Sequence, residues 1–395
     1  MNTQKKVNQI FSGIEQYFEE NKSYYSKSST RDSLNGILYS MLLGLEFNDF
    51  EYIENNFEKV TYLIKKFIKN VESFSISKKH SNNYLVLQIL ALYLQAISSH
   101  KNKNLITNVF SDESFISISK ECCKEYKRNI YLKDLDFKNH WHDSNVIMAV
   151  FAISVCYNKI CILDDEEIIK LFNSIEEKIN YFQNPQSGLH ISTVFKYRGL
   201  IQGIASTYHY LPIYKYLKKR LKYTSKIIES VKRISLKNGC FALPYGHVCV
   251  DLDSIICLEY SKSDLDKNLY LDIQTLLIKF IESMSKIQNT DGGFSIIGSK
   301  PKSFNFGLIN LPYNMIKSKC LGTVLWNVKN IYRSSKSDKL IFSNSLSDSR
   351  ALINDSTMFS TWFRLLSIKS AYRQISIDKK NHHENIYELP YLGYF

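Results

Sequence analysis

Glycine and proline are scarce in this chain, with 14 and 6 occurrences among 395 residues. A fold of many short strands needs more turn residues than that, so an all-β architecture is excluded and a mostly helical protein is expected. Long apolar runs are missing too. None reaches the roughly 18 residues that a membrane-crossing helix requires. No apolar segment follows the polar start Met1-Asn2-Thr3-Gln4-Lys5-Lys6, so no secretory leader is expected. The eight cysteines, at 122, 123, 156, 161, 240, 249, 257 and 320, form neither paired Cys-x-x-Cys motifs nor a compact secreted framework. Reduced thiols in a cytoplasmic protein are the expectation. Acidic residues fall short of basic ones, 38 against 51, which leaves a net charge of +13. This excess fits either an anionic partner or a compositional bias towards Lys, Asn and Ile. The lysines are scattered, no nucleic-acid-binding motif is visible, and a nucleic-acid partner is not expected.

Apolar residues make up 44% of the chain, enough for a large core. Residues 1–30 read as a polar leading segment with a short helix. Residues 374–395 read as an exposed tail, pinned by Tyr391 and Phe395. Between them, over 31–373, helical periodicity is nearly continuous. Leu34, Ile37, Leu38, Met41, Leu42 and Leu45 begin it, and 51–70 adds a second amphipathic helix. From there almost wholly apolar helices, opening near 84, 144, 199, 254, 318 and 356, alternate with amphipathic ones such as 165–182, 220–236 and 268–287. The region 113–130 is a weakly patterned helix, and Pro301 and Pro312 are expected to flank a loop. Asp143-Ser144, Asp253-Ser254 and Asp355-Ser356 stand at three of the openings, where a side-chain oxygen can cap the first turn.

A longer period underlies this alternation. Gly188 precedes Gly239 by 51 residues, and Gly239 precedes Gly293 by 54. Repeats of about 50 residues fit a two-helix unit that buries its apolar face only against its neighbours. The expected fold is all-α: an α/α toroid of about six inner and six outer helices. An open α-solenoid is the alternative, but it would not need inner helices that are apolar all round.

Gln288-Asn289-Thr290-Asp291-Gly292-Gly293-Phe294, with weaker copies at Gln183–Leu189 and Asn238–Phe241, resembles the glutamine/aromatic repeat of terpene cyclases and protein prenyltransferase β subunits. Asp251-Leu252-Asp253-Ser254 resembles the Asp-x-Asp-Asp motif of class II terpene cyclases. The resemblance covers roughly residues 140–370. It implies that Asp253 is the acid that protonates an alkene or epoxide, with Asp251 beside it, and that the substrate is a small-molecule isoprenoid. The sequence departs from the pattern where Ser254 replaces the last Asp and Phe294 the usual Trp. The zinc set of the protein prenyltransferases is not recognisable, so no metal ligands are assigned. No cofactor is firm, although a prenyl diphosphate would bring Mg²⁺ with it. An apolar substrate also leaves room for peripheral membrane contact.

If the inner helices all begin on one side of a ring, their free N–H groups and dipoles make that mouth attractive to anions. His140-Trp141-His142-Asp143, Lys196-Tyr197-Arg198 and Asp355 stand at these openings beside Asp251 and Asp253, and are candidate substrate-binding residues. Asp253 can serve as a general acid or simply cap its helix. His140 and His142 suit acid–base work or plain structure, and Lys196 and Arg198 suit a diphosphate, a uronate or solvent. Trp362, followed by Phe363 and Arg364, can face a cation or fill the core. Three functions remain open on these residues: isoprenoid cyclisation, carbohydrate hydrolysis or lysis using Asp253 with Asp143 or Asp355, and non-catalytic binding.

Overall fold

The computed structural model describes Lys22 and residues 34–69, 81–117, 119–120, 140–158, 165–191, 199–243, 246–261, 267–296, 303–335 and 355–375. The leading segment apart from Lys22, the tail from residue 376, the stretch 121–139 and Pro301 lie outside the described residues. Among the described residues helices are the only regular structure, apart from an isolated bridge between Gln183 and His190. The protein is all-α, as its shortage of turn residues predicts. The helices are α1 (Leu34–Phe47), α2 (Phe50–Lys69), α3 (Ser81–Ser98), α4 (Lys103–Phe110), α5 (His140–Asn158), α6 (Asp165–Tyr181) and α7 (Gly199–Tyr216). They continue with α8 (Thr224–Ile234), α9 (Val248–Ser261), α10 (Lys267–Ile287), α11 (Ser303–Ser318), α12 (Leu321–Ser335) and α13 (Met358–Ile375).

The described chain forms two compact units. One comprises Arg31–Phe182 with His209–Arg220, the other Gln183–Tyr208 with Leu221–Glu384. In the first unit α3 packs against α1, α2, α4 and α5, and α5 against α6. In the second, α13 packs against α9 and α10, α8 against α9 and α11, and α11 against α12. Burial along nearly the whole length distinguishes α1, α3, α5, α7, α9 and α13 among the described helices. Amphipathic helices such as α8 bury only one stripe, here Ile227, Ile228, Val231 and Ile234.

Two expectations change at this point. The helix near 318 is not apolar all round: α12 leaves Leu321, Leu325, Val328 and Tyr332 exposed and buries Thr323, Asn327 and Asn330. The sixth wholly buried helix is α1 instead. The expected loop between Pro301 and Pro312 is α11, with Pro312 inside it. Leu308, whose carbonyl loses its usual donor to that proline, is exposed, so water can replace the missing bond.

The glycine turns share one construction. Asn184 N–H donates to the Leu189 carbonyl (2.8 Å), Leu236 N–H to Cys240 (2.7 Å) and Asn289 N–H to Gly293 (3.0 Å). Gln183 and Gln288 each direct Nε2 at a turn carbonyl, of Gly188 (2.9 Å) and Gly292 (2.8 Å). The left-handed residues are Gly188, Gly239 and Gly292, with φ of +70°, +89° and +86°. The conformational period therefore runs through Gly292 and not Gly293. Close approach adds a second requirement at Gly239, where a Cβ would lie 2.3 Å from the Phe280 nitrogen of α10. At Gly188 it would lie 2.7 Å from the Ile227 nitrogen of α8. Each of these turns is thus pressed backbone-to-backbone against the next amphipathic helix.

Because Gly239 combines positive φ with that contact, Gly239→Ala is expected to cost about 2–3 kcal/mol in urea unfolding. A midpoint unchanged from the parent would show that the turn and α10 separate freely.

Candidate functional site

The site grows from the second residue after each turn glycine. The backbone N–H groups of His190, Phe241 and Phe294 are each accepted by a side chain of a buried helix. The acceptors are Thr207 Oγ1 (2.9 Å), Asp251 Oδ1 (2.8 Å) and Thr361 Oγ1 (3.2 Å). Two repeats fill this post with a neutral hydroxyl, while the middle one uses a carboxylate. Asp251 Oδ2 lies against Gly246, where a Cβ would come within 2.3 Å, and is bonded to Nη1 of Arg364 on α13. Both side chains of this ion pair are 0% exposed. Burial pushes the Asp251 carboxyl up, and the Arg364 guanidinium and the N–H groups of Phe241 and His247 offset part of that rise. The pair is ionic, because a neutral Asp251 would leave a buried guanidinium with no counter-charge.

Helices α9 and α13 run parallel. Val248 N–H at the start of α9 donates to the Ile296 carbonyl (3.1 Å), and Thr357 N–H before α13 donates to Phe294 (3.2 Å). Both helices therefore begin at the same glycine turn. Towards their other ends Arg373 grips Glu259 through Nε and Nη2 (both 2.8 Å), and Ser370 donates to the same carboxylate (2.6 Å).

Asp253 does not cap a helix. Its helix begins five residues earlier, at Val248, so Asp253 lies inside α9. It is 2% exposed. Among the described residues no hydrogen bond reaches its carboxyl. Burial and the charge of Asp251 raise it well above the ordinary carboxylate range. At four-residue spacing Cys249, Asp253 and Cys257 share one stripe of α9. Burial and the proximity of Asp253 push both thiols up, and do the same to the phenol of Tyr208. On α13 the rings of Phe359 and Phe363 lie 4.5 Å apart, and Trp362 meets Phe363 edge-on at 5.3 Å. Two carboxyls separated by one residue thus differ in setting: Asp251 is held by Arg364 and the Phe241 N–H, whereas Asp253 is raised further and meets no hydrogen-bond partner among the described residues.

The remaining expected residues are dispersed. His140 is buried in α5 with its ring 5.7 Å from Phe182, and Trp141 accepts the Ser144 hydroxyl at its carbonyl (2.9 Å). Asp143 is half-buried in the first turn of α5, and its charge helps burial to raise the phenol of Tyr210. Ser144 also meets His209 Nδ1 at 2.8 Å, and burial pulls His209 down to about 3, so that ring is neutral. The side chain of His142, and Lys196, Tyr197 and Arg198 entirely, lie outside the described residues. Asp355 is exposed ahead of α13, which Thr357 caps by accepting the Ser360 N–H (3.1 Å). The neighbouring Ser356 instead donates to Asp291 (2.8 Å) and fastens α13 to the third turn. Trp362 is buried within α13. Among the described residues no three His, Cys, Asp or Glu side chains converge as metal ligands.

No protein-family model, curated protein or solved structure matches the chain. Arg364, Tyr208 and the two thiols are additions to the residues that the motif suggests. A lone arginine in Trp362-Phe363-Arg364-Leu365-Leu366 was the available signal, since a charge inside an apolar helix demands a partner.

Two outcomes follow for stability. Asp253 is raised in the folded state, so the protein is favoured at low pH and loses stability as pH climbs from the ordinary carboxylate range through the raised value. Asp253→Asn removes this loss. Its melting temperature should match the parent in acid and exceed it increasingly towards alkaline pH, and parallel curves would show an ordinary Asp253. Arg364→Met strands the Asp251 charge and is expected to cost about 3–5 kcal/mol. Adding Asp251→Asn, which keeps an acceptor for Phe241, should restore much of that loss in the same chemical-denaturation series.

Proposed function

We propose that the chain closes as an α/α toroid and acts as a terpene-cyclase-like enzyme, initiating cyclisation of an isoprenoid by protonation. One observation carries this reading: Asp253 is buried on a buried helix, meets no hydrogen-bond partner among the described residues, and is pushed well above the ordinary carboxylate range by burial and by Asp251. A carboxyl whose proton is held more tightly than usual, and which donates to no acceptor among the described residues, is suited to deliver that proton to a weak base such as an alkene or epoxide.

In this mechanism the O–H bond of Asp253 breaks as a new C–H bond forms at the substrate alkene. The alkene electron pair is consumed, and a carbocation appears at the adjacent carbon. Internal double bonds then attack it in turn, forming ring C–C bonds. The reaction ends by loss of a proton to a base or by capture of water. Asp253, left as carboxylate, regains a proton before the next cycle. Asp251 cannot share the acid role, because Arg364 and the Phe241 N–H hold its oxygens. Its charge acts through Asp253, keeping the second carboxyl protonated until substrate takes the proton. The aromatic rings of Trp362, Phe359 and Phe363 lie on the helix packed against α9, and such faces stabilise cations passing near them. A diphosphate substrate would bring Mg²⁺, which would neutralise the phosphate oxygens and take no part in the proton transfer.

Carbohydrate cleavage is less well supported. It needs a second carboxylate facing Asp253 across a watered groove, whereas Asp355 is exposed and Asp253 is buried.

Incubation with geranyl, farnesyl and geranylgeranyl diphosphates, followed by mass spectrometry, tests the proposal. The expected product is cyclic and retains its diphosphate. Asp253→Asn should lower turnover by about 10²–10⁴-fold. A cyclised product made equally well by that variant would remove Asp253 from the chemistry, and conversion of oligosaccharides alone would overturn the reading.

A further inference from the structure

The hairpin of α11 and α12 is built inside out. Helical spacing sets Leu321, Leu325, Val328 and Tyr332 of α12 along one narrow stripe, and all four are exposed. The buried face carries the polar Thr323, Asn327 and Asn330 beside Val324 and Ile331. Thr323 Oγ1 accepts the N–H of Leu200 at the start of α7 (3.2 Å). Asn327 accepts the N–H of Leu243 (3.1 Å) and donates to Asn314 of α11 (2.6 Å). These bonds fix the rotation of α12, so the helix cannot turn its apolar stripe inward without stranding buried N–H groups. Ile309 and Ile316 of α11, one heptad apart, are 77% and 75% exposed. A single exposed leucine is ordinary, but an apolar face spanning two helices marks an interaction surface.

Charge identifies the partner. From Gly292 to Ser337 the sequence holds seven basic residues and no acidic one. Lys317 and Lys319 stand where α11 passes into α12, and Lys329 is exposed beside the apolar stripe. The ammonium groups of Lys237 and Lys317 lie over the ring of Tyr313 at 4.9 and 5.6 Å. Lys317 donates to the carbonyl and hydroxyl of Ser235 (2.6 and 2.8 Å), and burial with the neighbouring charges of Lys232 and Lys279 pulls it down to about 8. A second copy of the chain would bring the same positive face against itself in a two-fold contact. An anionic surface with an apolar interior meets both features at once. We propose that the α11–α12 hairpin docks on an anionic lipid bilayer, with its apolar stripe at the acyl boundary and its lysines among the headgroups. Tyr313 and Tyr332 suit that depth, each with an apolar ring and a polar tip. The assignment does not depend on the reaction at Asp253.

Flotation of the full chain with phosphatidylcholine vesicles, with and without phosphatidylglycerol, tests it. The protein should float with the mixed vesicles, bind neutral ones far less, and be released by salt. The triple change Ile316→Gln, Leu325→Gln and Val328→Gln, at exposed positions, should lower binding by about tenfold or more without altering the melting temperature. Lys319→Glu with Lys329→Glu should abolish the preference for anionic lipid, and decides the matter should the glutamine variant melt lower. Absence of flotation with either vesicle, or undiminished binding by both variants, overturns the proposal. A dimer by light scattering that the glutamine changes dissolve would assign the face to a second copy instead.

Discussion

The Asp251–Arg364 pair is the constraint on which the C-terminal unit depends. Two charges with no exposed surface, 113 residues apart in the chain, must be brought together before either can be buried. The pair stabilises little relative to an apolar replacement, but it is costly to leave half-made. It therefore specifies register. With Arg364 on Asp251, α13 has one position along α9, and the Glu259–Arg373 bond repeats the same parallel alignment further along. The pair also sets the chemistry beside it, because an ionised Asp251 two residues from Asp253 disfavours a second charge.

The repeat explains how such a feature arises. Thr207 and Thr361 fill the same role as Asp251: an acceptor for the backbone N–H two residues beyond a left-handed glycine. A hydroxyl does this without further demands. A carboxylate in the same post accepts the same bond, but carries a charge that must be answered from another helix. One repeat thus makes this packing bond part of an electrostatic centre, while the other two make it with a neutral hydroxyl.

Helix α12 shows a different division of labour. Its polar side chains face inward because backbone N–H groups at Leu200 and Leu243 need acceptors where helices α7 and α9 are entered. Four of its apolar side chains, Leu321, Leu325, Val328 and Tyr332, are left on the outward face, while Val324 and Ile331 stay buried. Hydrophobicity alone reads such a helix as core, and the satisfaction of buried N–H groups decides otherwise.

Much of the architecture was legible in the residues. Spacing of apolar side chains located nearly every helix, since periodicity is a local property, and the glycine turns disclosed the repeat because positive φ favours one residue type. The order of the motif also drew attention to Asp251 and Asp253. Local pattern did not distinguish Gly292 from Gly293, find α11 across Pro312, or tell that α1 is buried and one face of α12 is not. Nor did it give the two aspartates their states. A carboxyl's charge depends on the water removed from it and on the charges that replace that water, and these come from residues remote in sequence. The chain by itself determined helices, turns and the presence of two acids. Only the tertiary structure decided that one is clamped by a cation and the other pushed further from its ordinary range, because burial and Arg364 exist for them only once α13 has packed on α9.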